Sequence, residues 1–81
     1  MPHRWIDDTA PHELHAAVTH AGPVTVRRAY FADGTGAVSM QHHCTGHVRG
    51  VRTPTHRAAR ELAEQFADRV ASRLPEPADA A

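Results

Sequence analysis

An α+β fold is predicted, in the order α-β-β-β-α: a small antiparallel sheet covered on one face by a long C-terminal helix. Three observations predict it. An apolar stripe of helical period closes the chain, two alternating apolar runs flank a glycine-rich turn, and a shorter helical stripe precedes them. At 81 residues the chain makes one domain, 1–81. Its ordered core is expected over about 5–74, with 75–81 as a disordered tail.

The first predicted helix runs from about Ala10 to His20. Asp8 or Thr9 can cap it, Pro11 suits its first turn, and Gly22 before Pro23 ends it. Leu14, Ala17, Val18 and Ala21 share one face, leaving His12 and His15 toward solvent. Trp5 and Ile6 can fold back on it as a hydrophobic staple.

VTVRRAYF and GAVSMQHHC then flank ADGTG, a hairpin turn. A loop of odd length places Val24, Val26 and Tyr30 on the same face as Val38 and Met40. A turn at Thr45-Gly46 leads to a third strand over about His47 to Arg52. The closing helix is expected from Thr53, as N-cap, with Pro54 at its first position, to Leu74 before Pro75. Leu62, Phe66, Val70 and Leu74 recur every four residues, and Ala59, Ala63 and Ala67 widen that stripe. Arg57 with Glu61 and Arg60 with Glu64 stand at i,i+4 on the other side.

Charge narrows the function classes. Nine Lys+Arg, all of them Arg, offset nine Asp+Glu, so no net field draws the chain to nucleic acid or membrane. Arg without Lys, with abundant Ala, resembles the codon bias of a high-GC bacterial genome. No apolar run approaches membrane-spanning or signal-peptide length, and Cys44 is the only cysteine. A cytoplasmic location is the expectation, since a lone thiol suits a reducing compartment.

Eight histidines stand out. They could add up to about eight positive charges between pH 7.5 and 5. The most unusual stretch is MQHHCTGH. Met40, His42 and Cys44 would share one strand face, and the following turn could bring His47 beside Cys44. Thioether, imidazole and thiolate suit zinc or copper. A fourth strong ligand would have to come from His43, His3, His20 or a second chain. The alternative is a small buried thiol with solvated histidines around it. A Cys–His nucleophile would need a held imidazole and a pocket, which so small a chain rarely builds, so no enzyme activity and no catalytic residue is expected.

The predicted element order is similar to that of double-stranded-RNA-binding domains, whose final helix opens on a basic cluster. Thr55-His56-Arg57-Ala58-Ala59-Arg60 resembles that S-K-K-x-A-K cluster over six residues. The resemblance implies phosphate and 2′-OH contacts from Arg57 and Arg60. The family's G-P-x-H hairpin loop and its lysines are missing, and the charge sums to zero. Nucleic acid is therefore not the expected partner. The function expected is a small non-catalytic binding or accessory domain. It would act through protein–protein contact or as a homodimer, because a thin sheet leaves edges and an open face to be covered. Transition-metal binding through MQHHCTGH and double-stranded nucleic-acid binding are the alternatives.

Overall fold

The structure, a computed structural model, describes residues 3–73. It is an α+β fold, a five-stranded antiparallel sheet packed against one helix. The strands are β1 (Ile6–Asp7), β2 (His15–Ala21), β3 (Val24–Tyr30), β4 (Gly36–His42) and β5 (Val48–Thr53), and the helix is α1 (His56–Arg73). Strands neighbour one another in chain order, a plain meander. The proposed tail 75–81 and the helix end at Leu74 lie outside the described residues. Among the described residues no helix is long and apolar enough to cross a membrane.

The order α-β-β-β-α is corrected at its first element. Residues expected to form a helix over Ala10–His20 instead make a turn and then strand β2. The apolar residues at Leu14, Ala17, Val18 and Ala21 fit a helix face, but residues 15–21 pair with β3 along their whole length, which buries Ala16, Ala17, Thr19 and Ala21 and leaves Leu14 exposed. Thr19 and Ala17 face α1, while Ala16 (0 % exposed) is covered from the opposite side. A strand buried on both faces loses the alternation that would mark it. Gly22, at φ 60°, and Pro23 then form a two-residue connection between Ala21 and Val24. Glycine at the first position of such a turn takes the positive φ that matches strand twist.

The β3–β4 hairpin closes through the five residues 31–35. Its register, Val26 opposite Met40 and Arg28 opposite Val38, puts Val24, Val26, Val38 and Met40 on the α1 face. The cap of α1 is also corrected. Thr53 ends β5, because a residue before proline is driven to extended backbone. Thr55 caps the helix instead, its Oγ1 accepting the Ala58 N–H at 3.0 Å.

At the centre of the helix stripe, Ala59, Ala63 and Ala67 are each 0 % exposed, against Val24, Val26 and Val38. Leu62, Phe66 and Val70 flank this ridge and are half-buried. Small residues on the ridge let the helix lie close to the sheet. The approach is close at Gly36, where an added Cβ would stand 2.6 Å from the Ala59 Cβ.

The opposite sheet face is covered at one end by residues 8–14. Leu14 N–H donates to the Tyr30 carbonyl and Asp8 N–H to the Ala16 carbonyl. Arg27 clamps the segment. Its guanidinium donates two bonds to the Glu13 carboxylate, at 2.7 and 2.8 Å, and two to Asp8. Trp5 does not staple a helix; it lies under the Arg28 guanidinium and donates to Glu64 at 3.0 Å. Glu64 thus faces Trp5 and Arg28, while Arg57 and Glu61 do pair, at 3.3 Å.

Candidate functional site

Strand β4 ends at His42, and this decides the geometry of MQHHCTGH. Met40 and His42 share the α1 face of β4, Met40 half-buried against the core. Residues 43–45 form a turn that closes on Gly46, at φ 71°, so Cys44 leaves the strand before alternation can align it with His42. The Gly46 N–H donates to the His42 carbonyl at 2.8 Å, and the His42 N–H to the His47 carbonyl at 2.9 Å. Cys44 is exposed and free, and His42 and His47 are exposed across from one another. His43 is held apart from them, its ring bonded to the Thr25 hydroxyl.

Among the described residues, the group of His, Cys, Asp and Glu whose ligand atoms converge within 4.8 Å is His3, Glu64 and Asp68. His42, Cys44 and His47 form no such group. His3 meets Asp68 at 2.6 Å, and Trp5 already occupies Glu64. This cluster ties the N-terminal segment to α1.

The start of α1 carries a cavity of about 580 Å³, lined by Tyr30, His56, Arg57, Arg60 and Glu61. His56 stacks on Tyr30 at 4.9 Å and donates from Nε2 to the Phe31 carbonyl at 2.8 Å. Its role there is to hold the helix start on the hairpin. Arg57 is spent on Glu61, which leaves Arg60 as the cation of that cavity without an ion pair among the described residues. With the first helix replaced by β2, the layout likeness to double-stranded-RNA-binding domains is gone as well.

The feature that the sequence did not reveal is the exposed side of β5. Five of its six residues are exposed, Val48 at 58 % and Val51 at 46 %. A groove of about 520 Å³ runs between β5 and α1. Met40, Val51, Phe66 and Val70 form its apolar lining, with His42 and Arg49 beside them. The hydrogen bond from His42 to His47 sets which backbone groups of β5 are free. Antiparallel pairs alternate between bonded and non-bonded, so Arg49, Val51 and Thr53 bond to β4. Val48, Gly50 and Arg52 therefore turn their N–H and C=O groups outward, away from the sheet.

Gly50 adds to this. Glycine weakens a strand interior. Here it has no positive φ, and a Cβ would meet nothing closer than 3.9 Å. Nothing within the described chain requires a glycine at this position, in the middle of the free edge.

Comparison with family models, with curated proteins and with solved structures returned no match.

Proposed function

We propose that this chain is a non-catalytic binding module that acts through protein–protein contact, with β5 and the groove beside α1 as its contact surface. The observation that carries the reading is the uncovered β5 edge. Exposed edges with free backbone groups pair readily with other chains, and proteins commonly blunt them. This edge has neither a proline nor a bulge within Val48–Thr53, and its two valines stay in water. Backbone pairing there would supply affinity, and the neighbouring groove would supply side-chain selectivity. Burying Val48 and Val51 would add roughly 1 kcal/mol or more each.

Site-specific photo-crosslinking in the cells that make the protein tests this. With the crosslinker at Val48, discrete adducts are expected, and Gly50→Pro should abolish them. Proline removes the outward N–H of residue 50 but none of the bonds to β4. The same group at Asp33, at the far hairpin, should give no discrete adduct. Equal adducts from both positions, or none from Val48, would refute the assignment of the surface.

A further inference from the structure

We infer that the occupant of the β5 edge is an extended peptide segment carrying acidic side chains, bound as a sixth, antiparallel strand. This rests on the proposed contact surface and names what it takes. The side chains of β5 itself carry charge of one sign, with Asp33 of the β3–β4 hairpin the acidic group in electrostatic reach of Arg52. Arg49 projects on the α1 face and Arg52 on the other, and neither has an ion pair among the described residues. The Arg52 guanidinium lies over the Phe31 ring at 5.4 Å, which holds it at the edge. His42 lies in the groove next to Arg49.

A second copy fits this edge poorly. Two-fold pairing that uses all the outward groups of Val48, Gly50 and Arg52 must centre on Gly50. In that register Arg49 faces Val51 and Arg52 faces Val48 of the second copy, so neither arginine gains a carboxylate across the seam. Opposite charges across strands stabilise a pair, and a second copy supplies none opposite Arg49 or Arg52. The free edge therefore specifies its partner residue by residue. Opposite Val48 to Arg52 the incoming strand should read apolar, acidic, large, apolar, acidic. The large residue lies over Gly50, and the apolar residue beside Val51 enters the groove of Met40, Phe66 and Val70.

The experiment uses the ¹⁵N-labelled full chain and a capped peptide containing Glu-Val-Tyr-Glu-Val, with Lys-Val-Tyr-Lys-Val as control. The acidic peptide should shift the amides of Val48, Gly50 and Arg52, and binding should weaken as salt rises. The lysine peptide should bind at least about tenfold more weakly. The double charge reversal Arg49→Glu with Arg52→Glu should exchange that preference. Equal binding of both peptides overturns the charge argument. So does the absence of any shift at β5 with about 1 mM peptide, a threshold below which even weak recognition registers. Shifts at the same amides on concentrating the chain alone, with a dimer mass by sedimentation, would make a second copy the occupant. That result overturns this inference but leaves the contact surface standing. Failure of the surface itself is read separately, as loss of the Val48 crosslinks.

Discussion

Replacing Arg27 with methionine is expected to cost about 3–5 kcal/mol, the largest single-residue effect in this fold. Arg27 sits on the sheet face away from α1. The Glu13 side chain it grips is only 4 % exposed. Methionine keeps most of the packing but leaves a buried carboxylate without its cation. A domain of this size has a total stability of roughly 4–12 kcal/mol, so the loss should be evident in a thermal or urea melt. The double variant Arg27→Met with Glu13→Gln should recover part of it, because the charge that remains unpaired, on Asp8, is exposed to water. A melt for Arg27→Met within about 1 kcal/mol of the parent would show that residues 8–14 are not held down by this pair.

The pair also predicts a pH profile. Hydrogen bonds from Arg27 hold Glu13 well below the ordinary carboxylate range, at about 2. A group whose folded pKa is depressed stabilises the fold at pH values above its unfolded pKa, here near 4.5. That contribution, about 3 kcal/mol at full strength, is lost as pH falls from 4.5 through about 2. In Arg27→Met, burial favours the protonated form of Glu13, opposed by the Ala10 N–H at 2.8 Å and by His12 at 3.9 Å but no longer by Arg27. The stability difference between parent and variant should therefore be widest above pH 5 and narrow steadily toward pH 2. A constant difference across that window would rule out the linkage.

Gly36→Ala is expected to cost about 2–3 kcal/mol by overpacking, or roughly 10–20 °C in Tm. The new methyl would lie 2.6 Å from the Ala59 Cβ, 2.9 Å from the Thr53 Oγ1 and 3.0 Å from the Ala29 carbonyl oxygen. These atoms belong to α1, β5 and β3, so no single rotamer change relieves them. Ala59→Gly would remove the closest contact. The two substitutions should therefore be less harmful together than their separate costs imply, with a coupling of about 1 kcal/mol or more. Strict additivity would show that helix and hairpin are not in contact there. By contrast, Gly50→Ala, on the free edge, should change stability by less than about 1 kcal/mol, because its Cβ has room.

The elements legible in the sequence are those whose pattern is local. The alanine ridge of α1 with Leu62, Phe66 and Val70 beside it follows from a period of 3.6 residues, and the structure buries that stripe. The β3–β4 pairing follows from alternation and a glycine-rich loop, which leave one register that keeps Val26 and Val38 on the same face. β2 was misread because His15-Ala16-Ala17-Val18 satisfies helical spacing and alanine favours helix, whereas its burial on both faces depends on α1 and residues 8–14. The two-residue Gly22-Pro23 link before VTV and the β-branched Val18 and Thr19 were the available signals for a strand.

The candidate site was less legible than the fold. Met40 and His42 do share a face, as alternation requires, and that face turns out to line the groove. Cys44 drops out because alternation holds only while the strand lasts, and β4 stops two residues earlier. Its exposed position in the turn is a matter of where hydrogen bonding to β5 ends. The sequence by itself determined the α+β class, the helix stripe and the parity of the central hairpin, because periods of 3.6 and 2 are properties of neighbouring residues. Tertiary structure alone decided that residues 15–21 are a strand, that Glu13 meets Arg27 and that β5 is left as a free edge. Each of those depends on which distant segment arrives to cover a face, and no local period encodes that arrival.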